Sequence, residues 1–179
     1  ASGTLFNSLP LAYTKAQSVA RLLIGGRFLC TGWLAGSEGH MITNQHCIKT
    51  AADAKVIDIE FAAESASCAD ECLAQLGCKG NLVATTSTFV TNSPISTGQD
   101  YALVKLPASA SIAAYKYLQL RASGPVLNER IYIPQHPAGK AKRISSVLDN
   151  GSNAAIESLS ATNTCGSGQI GYSADTEEG

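Results

Sequence analysis

The chain has 179 residues, enough for one domain or for two small lobes that share a core. Its 45% hydrophobic and 15% charged residues are typical of a globular protein with a sizeable core. The net charge of −1 gives no electrostatic reason to expect a nucleic acid or a membrane as partner, and no apolar run is long enough to span a bilayer.

The six cysteines are an even number, which favours an oxidising compartment and three disulfide bridges. No signal peptide is recognisable, so we expect this to be the processed form if the protein is secreted. We expect one local bridge and one long bridge among the four cysteines that follow residue 60: Cys68, Cys72, Cys78 and Cys165. A zinc site made of these four thiolates is the alternative, although their spacings match no common zinc pattern well.

The first strand is predicted at Ala20–Ile24, because this apolar run ends at the turn-forming pair Gly25-Gly26. Residues 1–19 carry little pattern and are predicted to form an N-terminal arm. The strand begins a first β lobe, which we predict to extend over residues 20–106.

A β-hairpin is predicted next, from Gly32-Trp33-Leu34-Ala35 and Met41-Ile42-Thr43. The run Gly36-Ser37-Glu38-Gly39 between them has turn chemistry. Cys30 stands just before the first strand and Cys47 just after the second. Antiparallel pairing brings these two ends within reach of a disulfide, which would fix the backbone beside His46.

The rest of the first lobe is predicted from alternation and β propensity. Ala54–Phe61 alternates polar with apolar residues, as a half-buried strand does, and Leu82–Val90 is also predicted as a strand. The cysteine insert between them, Ala62–Lys79, is predicted to contain a short helix near Ala69–Leu76. Asp100 then precedes the apolar strand Tyr101–Leu106, which implies that the carboxylate has buried surroundings.

Residues 107–118 form a low-charge connector, and residues 119–179 are predicted to form a second β lobe. Its first strands are predicted at 119–123, 129–134 and 142–148. Short strands at close spacing, with little helix, predict an all-β fold built from two small Greek-key barrels.

Two residues of the second lobe carry predictions of their own. Asn150-Gly151-Ser152 is an acceptor sequence for N-glycosylation if the source has that machinery. His136 lies between Gln135 and Pro137, where we predict a turn residue rather than a second catalytic base.

Three stretches resemble the trypsin/chymotrypsin-like serine proteases. Cys30-Thr31-Gly32-Trp33-Leu34 and Thr43-Asn44-Gln45-His46-Cys47 are similar to the opening and the end of the family's histidine loop. Asp100-Tyr101-Ala102-Leu103-Val104-Lys105-Leu106 is similar to its aspartate strand. The resemblance implies two six-stranded barrels, with His46 as general base and then acid, and Asp100 as the group that orients it.

The polar residues Asn44 and Gln45 stand where the vertebrate digestive enzymes have alanines, so the loop looks closer to the lysyl-, glutamyl- and oomycete-type secreted members. Each residue has an alternative role. The alternative for His46 is a structural histidine beside a disulfide, and the alternative for Asp100 is a loop aspartate that ends a turn.

The family's nucleophile lies late in the chain, in a Gly-x-Ser-Gly motif. Ser167 lies in Cys165-Gly166-Ser167-Gly168-Gln169, but the residues that follow do not continue the motif, so Ser167 is predicted to be a turn serine. Thr176-Glu177-Glu178-Gly179 resembles the approach to the motif. This register implies that the N–H of Gly179 lines the oxyanion hole and that the serine follows two positions later.

The same register places Asp175 six positions before the serine, where trypsin-like enzymes bind a Lys or Arg side chain. The alternative is an acidic, exposed tail formed by Asp175, Glu177 and Glu178. Because the nucleophile and the closing strands come after Gly179, the second barrel is expected to be incomplete in this chain.

The resemblance therefore implies a secreted, extracellular serine endopeptidase that acts on peptide or protein substrates and needs neither a metal nor a cofactor. The 179 residues alone are expected to cleave no peptide. The C-terminal remainder of the same protein is an expected partner. A non-catalytic binding or inhibitor protein on the same fold is the alternative.

Overall fold

The structure is a computed structural model that describes residues 10–67, 69–97, 99–163 and 166–177. Four residues with a predicted role, Cys68, Cys165, Glu178 and Gly179, lie outside this described part. Their roles stay predictions.

Most regular elements of the described residues are strands, which confirms the predicted all-β class. The helices are α1 (Pro10–Ala16) and α2 (Ala51–Lys55). The strands are β1 (Val19–Ile24), β2 (Phe28–Ala35), β3 (His40–Thr43), β4 (Ile57–Phe61), β5 (Asn81–Ala84), β6 (Thr88–Ser93), β7 (Tyr101–Lys105), β8 (Ile133–Gln135), β9 (Arg143–Ser145), β10 (Ile156–Asn163) and β11 (Gly166–Tyr172). Short 3₁₀ turns lie at Ile95–Thr97, Ala113–Tyr115 and Pro137–Gly139.

The first seven strands form one antiparallel sheet in the order β5-β4-β1-β2-β3-β7-β6. Apolar side chains from its strands and from the loop after β3 pack into one core. The largest of these that are fully buried are Phe61, Leu22, Leu34, Met41, Ile48, Ile57 and Ile59. Each buried side chain of this size contributes about 1.5–3 kcal/mol, so the sheet is a firm scaffold for residues attached to its ends.

The predicted hairpin of the sequence is β2–β3, with Ala35 opposite His40. Its packing depends on a glycine in the middle of β2. A Cβ on Gly32 would lie 2.8 Å from Cδ1 of Leu22 and 3.0 Å from Sδ of Met41. A larger residue would push apart the side chains of β1 and β3 that meet there.

The second lobe contains two small antiparallel sheets, β8–β9 and β10–β11. A pair of two-stranded sheets fits the expectation of an incomplete second barrel. No strand forms at 119–123 within the described residues, and the strand predicted at 142–148 is limited to β9.

Three other predictions about local structure are wrong. The strand predicted to begin at Ala54 begins at Ile57, because Thr50 and Asp53 form a capping box that starts α2. No helix forms near 69–76 in the described residues, where Cys72 and Leu76 have φ of 46° and 55°. A left-handed backbone at both positions is incompatible with a right-handed helix. The single strand predicted at Leu82–Val90 is instead two strands, β5 and β6. The helix α1 lies within the residues predicted to form the N-terminal arm.

A buried arginine joins the first sheet to the cysteine insert and to the second lobe. The guanidinium of Arg21 donates to Oε2 of Glu60 at 2.7 and 3.0 Å, to the carbonyl of Gly77 at 2.8 Å and to the carbonyl of Gly139 at 3.1 Å. The other carboxylate oxygen of Glu60 accepts from the N–H of Gly80 at 2.7 Å. One side chain of β1 thus fixes the position of three chain segments.

Candidate active site

Strand pairing brings His46 and Asp100 together. Strands β3 and β7 are antiparallel neighbours, with Thr43 opposite Ala102. The C-terminal end of one strand therefore lies beside the N-terminal end of the other. His46 follows β3 by a short turn and Asp100 directly precedes β7, so both residues lie at the same edge of the sheet.

The two side chains are in direct contact. Nδ1 of His46 lies 2.7 Å from Oδ2 of Asp100, and the backbone N–H of His46 donates to Oδ1 at 3.0 Å. A carboxylate can only accept, so Nδ1 carries a proton and the neutral imidazole has its free lone pair on Nε2. The His46 side chain is 62% exposed, whereas that of Asp100 is 15% exposed. The lone pair on Nε2 is therefore open to a ligand from solvent.

Asp100 is held in its ionised form. Burial raises its pKa. The hydrogen bonds from the backbone N–H and the ring of His46, the electrostatic attraction between Asp100 and the His46 ring, and the hydrogen bond from the amide of Asn44 lower it by more, so the net pKa lies below the ordinary value. Asp100 also has a φ of 67°, in the left-handed region. Strained backbone of this kind persists where the surrounding contacts determine it, commonly at functional sites.

Asn44 is a further residue of the site, to which the sequence analysis gave no role. Its Nδ2 donates to Oδ2 of Asp100 at 3.0 Å and to the backbone carbonyl of Asp100 at 3.3 Å. The same carboxylate oxygen thus accepts from both Asn44 and His46. The sequence did contain a signal for this role: Asn44 stands two positions before His46, where the vertebrate digestive enzymes have an alanine.

A disulfide joins Cys30 to Cys47, next to His46, with a Cα–Cα distance of 6.4 Å. It ties the start of β2 to the turn after β3. The sulfurs and a ring nitrogen of His46 lie within 4.8 Å of one another, a grouping that can hold a metal when the sulfurs are thiolates. Both sulfurs are used in the disulfide here. A second disulfide, Cys72–Cys78, closes a small loop of the insert.

A cleft of about 470 Å³ opens beside His46. Its lining residues are Phe28, Leu29, Cys30, Asn44, His46, Cys47 and Glu177. Glu177 comes from the far end of the described chain. Gln135 of β8 holds this end, since its Nε2 donates to the carbonyl of Asp175 at 3.0 Å and its Oε1 accepts from the N–H of Glu177 at 3.4 Å. Lys140 pairs with the Glu177 carboxylate at 3.2 Å. The segment after β11 is thereby directed towards the histidine.

The other candidate residues lie elsewhere. Asp175 is exposed and lines a separate cleft with Leu148, Asp149, Asn150, Tyr172, Ser173 and Ala174. Ser167 lies within strand β11 rather than in a turn, and its side chain is exposed.

His136 is fully buried at the turn that precedes Lys140. Its Nδ1 lies 3.0 Å from the carbonyl of Lys140, so Nδ1 carries the proton, and Nε2 has no described partner. Burial lowers its pKa to about 3, with the nearby charges of Lys142 and Arg21 acting in the same direction. The imidazole is therefore neutral.

Comparisons with known proteins show the family to which the chain belongs. The family model described as a trypsin-like peptidase domain matches residues 30–179. A curated relative, Secreted RxLR effector protein 73 of Plasmopara viticola, is 45% identical over 171 residues. That match includes 94% of this chain but 41% of the relative, so the chain spans about two fifths of the relative's length.

Solved structures of low sequence identity have the same fold. The Rv3671c protease of M. tuberculosis, in an inactive form, has a TM-score of 0.61 and 17% identity over 100% of this chain and 77% of its own. Deg5 has a TM-score of 0.58 and 15% identity over 98% and 77% of the two chains. At these identities the likeness establishes the fold alone. Among the described helices, none is long and apolar enough to cross a membrane.

Proposed function

Because the chain belongs to the family of trypsin-like peptidase domains, we propose that it supplies the histidine and aspartate of a secreted serine endopeptidase. The observation that carries this proposal is the 2.7 Å contact between Nδ1 of His46 and Oδ2 of Asp100. It leaves Nε2 as a base on the exposed side of the ring. This is the arrangement that activates a hydroxyl nucleophile.

In this proposal His46 removes the proton from a serine hydroxyl through Nε2 as the oxygen attacks the peptide carbonyl. The resulting imidazolium is stabilised by the Asp100 carboxylate, which Asn44 helps to keep ionised. His46 then gives the proton to the leaving amine, and a water molecule repeats the sequence to release the acyl group.

The nucleophile in this proposal is a serine two positions after Gly179. The support is the resemblance of Thr176-Glu177-Glu178-Gly179 to the approach to the family's serine, together with the position of Glu177 in the cleft of His46. Glu177 and His46 line the same cleft, and a serine four residues after Glu177 can lie at most about 14 Å further along the chain. The backbone N–H of Gly179 then contributes to the oxyanion hole.

We infer that the protein acts outside the cell on peptide or protein substrates. The disulfides Cys30–Cys47 and Cys72–Cys78 are typical of an oxidising compartment, and the curated relative is named as a secreted effector. Asp175 is proposed to take part in substrate binding. Its carboxylate is exposed at a cleft, where it offers acceptors to a cationic side chain.

The experiment compares peptide hydrolysis by the longest natural product of the gene with that of its His46→Ala and Asp100→Asn variants. We expect kcat to fall by about 10⁴-fold in Asp100→Asn, and at least as far in His46→Ala. His40→Ala is the matched control, because His40 lies on β3 at a half-buried position near Glu38 and outside the cleft. It should keep full activity.

Hydrolysis that survives His46→Ala would contradict the proposal. A natural product that never hydrolyses peptides, yet binds a protein partner, would instead favour the non-catalytic alternative. The 179-residue chain by itself is expected to show no turnover.

A further inference from the structure

A turn on the surface of the second lobe holds the one Asn-x-Ser/Thr sequence of the 179 residues, Asn150-Gly151-Ser152. The turn lies between β9 and β10. The N–H of Gly151 donates to the carbonyl of Leu148 at 2.8 Å, and the N–H of Leu148 donates to the carbonyl of Ser152 at 2.9 Å. Gly151 has a φ of 82°, a conformation that favours glycine. The acceptor sequence is thus presented by a compact local turn.

The asparagine and the serine of this sequence are already paired. Oδ1 of Asn150 accepts from the N–H of Ser152 at 2.9 Å and from its hydroxyl at 2.6 Å. A backbone N–H can only donate, so the side-chain atom that faces it is the oxygen. The amide nitrogen Nδ2 therefore points the other way, and none of the described hydrogen bonds uses it. Asn150, Gly151 and Ser152 are all exposed.

We propose that Asn150 is an N-glycosylation site of the secreted protein. The inference rests on the secretion that is part of the proposed function, and it requires neither His46 nor Asp100. In the reaction, Nδ2 bonds to the anomeric carbon of an oligosaccharide that is carried on a lipid pyrophosphate. The bond between that carbon and the pyrophosphate oxygen breaks, the lipid pyrophosphate leaves, and Nδ2 loses one proton to a base of the transferase.

The geometry suits this chemistry. Two donors on Oδ1 withdraw electron density from the amide and make its N–H more acidic, which assists loss of the proton. Asn150 is exposed and none of the described hydrogen bonds uses Nδ2, so an attached sugar breaks no described hydrogen bond. The site borders the cleft that contains Tyr172 and Asp175, whereas the cleft beside His46 has a different lining. A glycan at Asn150 therefore leaves Nε2 of His46 open.

The test uses protein from its natural source, and variants secreted from a eukaryotic host. Peptide N-glycosidase treatment in heavy-oxygen water converts a glycosylated Asn150 to a labelled aspartate, which peptide mass spectrometry locates. The heavy oxygen separates this conversion from deamidation of the Asn150-Gly151 pair before the treatment, and a sample kept in heavy-oxygen water without the enzyme measures deamidation during it. We expect label at Asn150 in the natural protein and a mobility shift on deglycosylation.

Three variants sharpen the test. Asn150→Gln and Ser152→Ala should lose the shift completely, and Ser152→Thr, which keeps the hydroxyl, should retain it. Fluorescence of Trp33, the single tryptophan of the sequence, checks that each variant is folded. Folded, secreted protein with an unmodified Asn150, or a glycan that persists in Asn150→Gln, would overturn the proposal.

The outcome for the glycan is separable from the outcome for catalysis. Peptide hydrolysis by protein without a glycan would overturn only the glycosylation site. A glycan at Asn150 in protein that hydrolyses no peptide would support the site and count against the endopeptidase proposal.

Discussion

Replacing Arg21 with methionine tests whether one buried side chain holds the two lobes together. The Arg21 side chain is 1% exposed and that of Glu60 is 17% exposed. Methionine fills a similar volume but donates no hydrogen bonds. The change leaves the Glu60 carboxylate with the N–H of Gly80 as its described donor, and it removes the donors to Gly77 and Gly139.

The expected loss of stability follows from these contacts. Breaking a buried ion pair by removing one partner costs about 3–5 kcal/mol. Glu60 is partly open to water, which places the Arg21→Met variant at the lower end, at about 3 kcal/mol. For a chain of this size that loss lowers the melting temperature by about 6–12 °C. Glu60→Gln in the same variant removes the stranded charge and keeps an acceptor for Gly80, so the double variant should recover part of the stability.

Urea unfolding at neutral pH, followed by Trp33 fluorescence without reductant, measures the effect. Arg121→Met is the matched control. Arg121 forms a bidentate pair with Glu129, but this pair lies on the surface, so its removal should change little. An Arg21→Met variant as stable as the Arg121→Met control would refute the reasoning, and so would a double variant less stable than Arg21→Met alone.

Three further predictions concern single side chains. Thr50→Ala should destabilise the protein by about 1 kcal/mol, because it removes the N-cap of α2. Thr50→Ser keeps the hydroxyl and should keep the stability of the unchanged protein in the same unfolding assay. Equal stability of the unchanged protein and both variants would contradict the capping box. Because His136 has a folded pKa of about 3, below its ordinary value of 6.5, the unfolded state binds the extra proton as the pH falls. Stability from this residue is present above about pH 6.5 and is lost towards pH 3, by about 1.4 kcal/mol per pH unit. His136→Asn keeps a donor for the carbonyl but not this slope, and parallel stability curves for the two proteins between pH 6.5 and 4 would contradict the assignment. Asn44→Ala removes a hydrogen-bond donor to the Asp100 carboxylate, so the pKa of Asp100 should rise. An NMR titration of the Asp100 carboxyl carbon measures this rise. An unchanged titration curve would contradict the role of Asn44.

The pairing of His46 with Asp100 could be anticipated from the sequence, because each lies beside a short apolar strand within a recognisable motif. Neighbouring antiparallel strands then bring the two motifs to one edge. The role of Arg21 could not be anticipated. Its hydrogen-bond acceptors include the carbonyls of Gly77 and Gly139, which lie far along the chain, and no local pattern marks a carbonyl as a partner.

The errors in local structure have identifiable causes. The alternation that predicted a strand from Ala54 ignored the Thr50-x-x-Asp53 cap, which was visible in the sequence. The helix predicted near 69–76 followed composition alone. A disulfide between Cys72 and Cys78 closes a loop there instead, and within this loop Cys72 and Leu76 have a left-handed backbone that a helix cannot accommodate.

The central claim, that His46 and Asp100 activate a serine, is tested most directly by covalent labelling of the longest natural gene product with a fluorophosphonate. Such reagents react with a serine that a neighbouring histidine has made nucleophilic. We expect one adduct per molecule, on a serine that follows Gly179, and its loss in His46→Ala but not in His40→Ala. Folded protein that takes up no reagent, or an adduct that persists in His46→Ala, would contradict the account.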